Sequence, residues 1–349
     1  MLGDDVMLTD RKQKILRMIV EDYISTAEPV GSRTIARKQD VSLSPATVRN
    51  EMSDLELMGY LEQPHTSSGR IPSAQAYRFY VDSLLKPGTL TASERAIIDA
   101  WYIERVRSID EIFQSTAKIL SRMTRNISMV VANKHFTGKF SYVKFLPLDN
   151  NKVILCIVTD FGTLDNCVVD IPMGMNQEEL DYLAGRITRK LSGLSLDDIN
   201  EDVLKDLHIN MAGDKLLYTS FFKGLKKLSA GREEEKIFFG GAGQILGQPE
   251  FREVERLKSL LGLLEEEKIV RNILNAGKNS GLKVTIGTEN ELTSLQDCSM
   301  VQATYRLNGK VVGTMAVLGP TRMEYQKVIS VIDYLHKYLR IMFDNKKDL

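Results

Sequence analysis

GSRTIARKQDVSLSPATVRNEMSDLELMGYLEQPHTSSGRIP, residues 31–72, is the stretch that decides the fold. It reads as two short helices joined by a tight turn and followed by a β-hairpin. That is the order of a winged helix-turn-helix, a module whose second helix enters a DNA major groove. The second helix is the better marked of the two. Ser44-Pro45 combines a serine N-cap with proline at the first helical position, where the missing N–H removes nothing the helix would use. At a helical period Val48, Met52 and Leu55 share one face and point at a core. Ala46, Asn50 and Ser53 fall on the opposite face, with Thr47 and Arg49 on its flanks. Residues at the start of such a helix meet base edges. An arginine there can take guanine O6 and N7 together, and an asparagine can take adenine N6 and N7, so Arg49 and Asn50 are the expected readers. Ser44 and Thr47 suit phosphate oxygens.

Outward from this centre, a first helix is expected over residues 11–25, with Thr9 as N-cap and Asp10 in its first turn. Ile15, Leu16, Ile19, Tyr23 and Ile24 recur at helical spacing as its core stripe. Glu28-Pro29-Val30-Gly31 breaks the chain, and Ser32 is read as the cap of a short helix running to about residue 39, with Ile35 and Ala36 inward. Val41-Ser42-Leu43 is the turn. After Gly59, residues 60–63 and 70–72 are expected as the strands of a wing. Its tip, His65-Thr66-Ser67-Ser68-Gly69, is small and polar, fit to lie along a backbone or minor groove, with Arg70 as the cation beside it. The plain alternative is a helical hairpin that only packs, with Arg and Asn on a solvated face. The proline-capped helix followed by a wing-like hairpin favours DNA.

Charge qualifies this expectation. Residues 1–85 hold ten Lys and Arg against twelve Asp and Glu, a net charge of −2. Non-specific DNA affinity rests on phosphate neutralisation, so off-site binding should be weak. Between Gly31 and Asn50, however, Arg33, Arg37, Lys38 and Arg49 face a single anion, Asp40. Specific binding then leans on base contacts and on two half-sites read together.

The runs EPVGSRTIA, LSPATVRNEMSDLELMGYLEQPHTSSGRIPS and AYRFYVDSLL resemble the HrcA family of bacterial heat-inducible transcription repressors. The likeness is dense from Leu8 to Leu85 and looser to the end. The resemblance implies a homodimeric repressor of chaperone operons that binds an inverted-repeat operator called CIRCE and is assisted by the GroEL chaperonin. Only the recognition helix from Ser44 to Ser53 and the wing from Pro64 to Arg70 are carried over residue by residue. The expected DNA-binding set is Ser44, Ala46, Thr47, Arg49, Asn50, Ser53, His65, Thr66, Ser67 and Arg70.

The whole chain has 349 residues, enough for two or three domains with real cores. Charged residues make up 26% and balance to zero, a soluble globular composition. No apolar run approaches the ~20 residues of a membrane span. The start, MLGDDVMLTD, is acidic rather than basic ahead of an apolar run, so no secretory signal is expected and a cytoplasmic place is, nucleoid-associated when bound. Cys156, Cys167 and Cys298 form no CxxC pair, and four scattered histidines add no metal-ligand spacing, so no cofactor or metal is expected. A hairpin turning at Phe161-Gly162 would set Cys156 opposite Cys167, as two thiols rather than a disulfide in a reducing compartment.

Beyond the head, residues 73–85 read as a helix with Tyr77, Tyr80, Val81 and Leu84 as its stripe. Lys86-Pro87-Gly88-Thr89 is the clearest boundary. A long helical segment over 91–126, with Trp101 near its start, is expected to carry the head and align it against a partner. Strands follow at 128–133, 140–147, 152–160 and 163–170, the last three as an antiparallel meander. Helices are expected at 177–191, 197–207 and 214–229, then the charged connector GREEEK. Ile237-Phe238-Phe239 resumes a strand before a glycine-rich turn and a helix over 249–276. Strands at 282–287, 299–307 and 311–318 and a helix over 323–343 close the chain, with an Asn308-Gly309 hairpin turn. VVGTMAVLGP ahead of a helix resembles the end of a GAF-like sensor domain. The family resemblance implies that this domain is interrupted by a dimerising insert. The expected class is therefore α+β: a winged helix-turn-helix at 1–88, a GAF-like α/β domain at 89–138 and 236–349, and an inserted β-meander and helical dimerisation domain at 139–235.

Two other functions would use parts of the chain outside the head. A metabolite-gated regulator would use the GAF-like domain as an effector sensor, although the strands over 282–318 read equally as plain core, and the effector is unknown. A nucleotide-using enzyme would rest on the turn from Gly240 to Gly247, whose glycines let backbone N–H groups approach phosphate. The next helix is expected only near Pro249 and no acid follows at the fingerprint spacing, so a tight turn is the better reading. Acidic runs such as Glu233-Glu234-Glu235 and Glu265-Glu266-Glu267 read as solvated faces. With no P-loop, GxSxG or HExxH, an enzyme is not expected.

Overall fold

A computed structural model describes residues 8–38, 43–64, 69–85, 88–105, 109–132, 139–149, 151–160, 164–199, 203, 219–226, 235–275, 281–307 and 310–345. The head begins with α1 (Asp10–Thr26), capped by Thr9, whose side chain accepts the Lys12 N–H at 3.4 Å. Ile15, Leu16, Met18, Ile19 and Val20 are its buried face, with Tyr23 and Ile24 partly buried beside them. Helix α2 (Ser32–Ala36) is shorter than expected. Gly31 rather than Ser32 is its N-cap, because Ser32 already has helical geometry and makes no side-chain cap. Val41 and Ser42 of the turn lie outside the described residues.

Helix α3 (Pro45–Leu57) starts as its sequence dictates: Ser44 Oγ accepts the Thr47 N–H at 3.1 Å and Pro45 opens the helix. Its end is equally specific. Gly59 takes φ +82°, and the Tyr60 and Gly59 N–H groups return to the carbonyls of Leu55 and Glu56, both at 2.9 Å. This closing motif satisfies carbonyls the helix leaves open and needs a left-handed residue, which glycine adopts without strain. Strands β1 (Leu61–Glu62) and β2 (Ile71–Pro72) then pair antiparallel, and Val30 adds a third rung by exchanging two 2.9 Å hydrogen bonds with Arg70. Helix α4 (Ala74–Phe79), capped by Ser73, runs on into a π-helical turn (Tyr80–Leu84).

The expected long helix over 91–126 is instead two helices, α5 (Ala92–Arg105) and α6 (Ile109–Thr124). They fold back on each other: the Tyr102 and Thr116 hydroxyls lie 2.6 Å apart, and Arg122 stacks over the Trp101 ring at 5.4 Å. Each helix is amphipathic on its own, so a hairpin buries Ile98, Tyr102, Ile112 and Phe113, which one straight rod would leave wet. The pair packs against the body rather than projecting from it.

That body is an antiparallel five-stranded sheet in the order β7-β3-β10-β9-β8, from β3 (Ile127–Ala132), β7 (Lys236–Gly240), β8 (Leu282–Ile286), β9 (Cys298–Leu307) and β10 (Lys310–Pro320). Strand alternation divides it into two faces. Val130, Met315 and Val317 face a core shared with α6 and the last helix, while Met129, Ala316 and Leu318 face another with the helices after β7. The helix expected over 249–276 is broken into a 3₁₀ turn (Pro249–Phe251), α8 (Val254–Glu265) and α9 (Glu267–Asn275). The last helix of the chain, α10 (Tyr325–Asn345), covers the opposite face. Asn308 and Gly309 lie outside the described residues.

Between β3 and β7 stands a separate three-stranded meander, β4 (Phe140–Asp149), β5 (Lys152–Thr159) and β6 (Leu164–Asp170), with α7 (Gln177–Leu191) across one face. Its own core includes Phe140, Phe145, Leu155, Ile187 and Phe221. Of the helices expected at 197–207 and 214–229, the described parts are a 3₁₀ turn (Leu196–Asp198), helical residue Val203 and helical residues 219–226. The register of β5 and β6 is one residue from that expected. Cys156 pairs with Asn166, and Cys167 lies opposite Leu155. A one-residue slip turns side chains to opposite faces, so Cys167 is buried, Cys156 half-buried, and both are free thiols.

Candidate nucleic-acid interface

On α3 the core residues Val48, Met52 and Leu55 are buried, which turns Ala46, Arg49, Asn50 and Ser53 outward as one exposed stripe. Among the described residues, the side chains of Arg49 and Asn50 make no hydrogen bond or ion pair within the protein. Both side chains are thus open to an external partner, and neither has to break a contact to reach it. Ser44 is exposed, but its oxygen is already engaged as the cap and sits 3.0 Å from the half-buried Thr47 hydroxyl. These two are better described as the pin that sets the helix start.

The helix is also pinned from behind. Lys12 of α1 reaches Glu51 and Asp54 of α3, each at 2.7 Å. These two carboxylates, Asp54 foremost, raise the Lys12 pKa above that of a free lysine. Glu51 and Asp54 of α3 are therefore paired with α1, and Glu56 with Arg70, so the acids of this helix carry partners within the net-negative head.

Arg70 differs in kind from Arg49. Its guanidinium bonds Glu56 of α3, with Nε at 2.8 Å, and its backbone is locked to Val30. It braces the wing against the recognition helix and is not a loose cation. His65, Thr66 and Ser67 lie outside the described residues. Two cations missing from the expected set are Arg33 within α2 and Arg37 at its C-cap, both exposed, whose side chains have no intramolecular partner among the described residues. The local excess of cations between Gly31 and Asn50 was the signal for them; which of the four were free was not readable, since Lys38 is bound to Asp22 at 2.6 Å.

Elsewhere, the turn after β7 continues as a 3₁₀ segment (Ala242–Gly247) with no α-helix until Val254, so its glycines face no helix N-terminus that would hold phosphate. Among the described residues no cluster of His, Cys, Asp and Glu has the grouping to hold a metal, and no helix is long and apolar enough to cross a membrane.

A head of this construction, with its second helix turned outward and a paired wing behind it, defines a winged helix-turn-helix DNA-binding regulator. Comparisons narrow the class. Residues 7–83 match the winged helix-turn-helix transcription repressor family described as HrcA DNA-binding, and residues 110–329 match the HrcA protein C-terminal domain. Heat-inducible transcription repressor HrcA of Carboxydothermus hydrogenoformans is 41% identical, covering 97% of this chain and 99% of its own. That of Pelotomaculum thermopropionicum is 40% identical over 95% and 96%, respectively. A crystal structure described as that of a hypothetical protein shares the fold, with a TM-score of 0.69 at 23% identity over 97% of this chain and 99% of that one. The chain belongs to the HrcA family of heat-inducible transcription repressors. The relatives carry the name of a repressor, a non-enzymatic function.

Proposed function

We propose that this repressor binds, as a homodimer, an inverted-repeat operator of the CIRCE type ahead of chaperone genes, and that the GroEL chaperonin modulates its activity. The observation that carries the reading is the solvent-facing stripe of α3, with Arg49 and Asn50 unengaged. In this reading Arg49 and Asn50 contact bases, and Ala46 and Ser53 fit closely against the groove. Ser44 and Thr47 hold the helix start near phosphate, and the wing tip with His65, Thr66 and Ser67 follows the flanking backbone beside Arg70. Double-stranded DNA is the partner, and two-fold protein symmetry matches the two-fold symmetry of an inverted repeat.

Pairing draws support from the meander. Its face away from α7 carries Tyr142, Leu146 and Leu148 on β4 and Leu164 and Val168 on β6, all exposed, on the two strands that flank β5. Adjacent apolar side chains on an open sheet face favour contact with a matching surface. We take residues 139–235 as the dimerising insert, 1–88 as the DNA-binding head, and 89–138 with 236–349 as the GAF-like body. The effector-sensing alternative gains nothing from the cavity beneath α8 and α9. That cavity is about 10 Å³ and is lined by Met129, Leu263, Leu264, Val270, Ile273, Leu295, Met300 and Leu318, with no polar group to orient a metabolite.

The test combines sedimentation with operator titration. Leu146→Glu together with Val168→Glu should give a folded monomer that binds a full inverted repeat no better than a half-site. A dimer that survives both substitutions would refute pairing through this face. Adding GroEL to refolding protein should raise the fraction competent to bind the operator; an unchanged fraction would remove the chaperonin from the reading.

A further inference from the structure

The head is not on a loose tether. Tyr77 of α4 and Tyr80 of the π-turn are buried in the same core as Tyr325, Val328 and Val331 of α10, and the Tyr77 and Tyr325 rings sit 6.1 Å apart. Two arginines cross this seam in opposite directions. Arg78, from the head, donates to Glu289, with Nε at 2.8 Å, and to the Val284 carbonyl at 2.7 Å. Arg322, from the loop before α10, donates to the Ile24 carbonyl in the last turn of α1 at 3.1 Å, and is held by Gln248 at 3.0 Å and by Glu250. The Arg322 side chain is only 12% exposed. Each guanidinium thus joins a backbone carbonyl on one side to carboxylates that fix its plane, a geometry that resists rotation as well as separation.

Ala46, Arg49, Asn50 and Ser53 remain exposed while the head is docked this way. The clamps therefore do not cover the reading surface; they fix its direction relative to the body. We infer that Arg78 and Arg322 are positioning residues for DNA recognition: by locking the head to the body they set the separation and angle of the two recognition helices in a dimer, and hence the operator spacing the protein accepts. This rests on the homodimer reading above. A dimer whose heads are held at one geometry gains from its second half-site as an intramolecular event, whereas heads that rotate freely spread that gain over many spacings.

The experiment uses the full chain and an operator selected from random duplex DNA by the intact protein. Three probes are titrated: that duplex, a single half-site, and a series with the half-sites moved together or apart by single base pairs. Arg78→Gln with Arg322→Gln is expected to leave half-site affinity within about twofold, to weaken full-operator binding by roughly tenfold to a hundredfold, and to flatten the dependence on spacing. Glu250→Gln with Glu289→Gln alters only the body side of the clamps, leaves the residues of the head intact, and should do the same. Unchanged spacing dependence in both doubles overturns the inference. So does tighter full-operator binding, which would make the docked head an inhibited one, and so does a half-site loss that parallels the full-site loss. Sedimentation of each sample separates the readings: a monomeric intact protein refutes the homodimer and this inference together, while dimers with unaltered spacing preference refute this inference alone.

Discussion

Arg49 and Arg70 are both arginines of the expected DNA-binding set, yet their surroundings give them different work. Arg49 has no partner among the described residues, so its Coulomb and hydrogen-bonding capacity is uncommitted; Arg70 is bound to Glu56. Arg49→Ala should weaken operator binding by about 1–3 kcal/mol and relax preference at one base pair. Titration against operator and random duplexes checks this, since equal losses on both would make Arg49 a phosphate contact. Tyr77 supplies a different test. Its hydroxyl is buried without a hydrogen-bond partner among the described residues, and burial pushes its pKa well up. A lone buried hydroxyl costs about 1–3 kcal/mol, so Tyr77→Phe should leave the thermal midpoint unchanged or raise it. A clear drop would reveal a partner for that oxygen. Neither the freedom of Arg49 nor the isolation of Tyr77 was legible in sequence, because each depends on what other elements bring nearby.

At the scale of elements, α3 was the most legible part of the chain. Ser44-Pro45 marks its start, Gly59 its end, and Val48, Met52 and Leu55 its buried face, and all three signals are local. The cap has a measurable weight: Ser44→Ala should lower head stability by about 0.5–2 kcal/mol, read from chemical denaturation, by orphaning the Thr47 N–H. Other elements were less readable for identifiable reasons. Helix α5 is described to Arg105 and α6 from Ile109, and the sequence between them, Val106-Arg107-Ser108, has no glycine or proline to announce two helices. Tertiary burial of both helices decided it. The one-residue difference in the β5–β6 register has a similar origin. Burial of Leu155, Cys167 and Val169 in one core with α7 and Phe221 selects the observed pairing, and that burial is not local to the hairpin.

At the scale of the molecule, the seam between head and body carries a pH dependence. Burial alone would raise the Glu289 carboxyl, but hydrogen bonds from Arg78 and the Ile286 N–H outweigh it and lower the pKa. A lowered carboxyl contributes stability above its unfolded pKa and loses it as pH falls through the folded one. Docking should therefore loosen as pH drops through and below the ordinary carboxylate range, and Glu289→Gln should remove that part of the dependence. With Glu289 39% exposed, solvent screening keeps the effect below about 1 kcal/mol. Thermal midpoints of both proteins against pH check it; identical profiles would show that the pair contributes nothing.

Local chemistry in the sequence determined the head. Caps, helical period and turn residues act over a few positions, so the recognition helix, its outward residues and the family likeness were all readable along the chain. Tertiary structure decided the fold-back of α5 on α6, the face each cysteine occupies, and which cations stay free. It also decided the clamps of Arg78 and Arg322, whose partners Glu289 and Ile24 lie more than two hundred residues away. Contacts at that separation leave no local periodicity, because they exist only once several elements have packed and brought opposite charges to the same place. Residues 31–72 thus specify a helix able to read DNA, and the assembled protein fixes the direction in which that helix points.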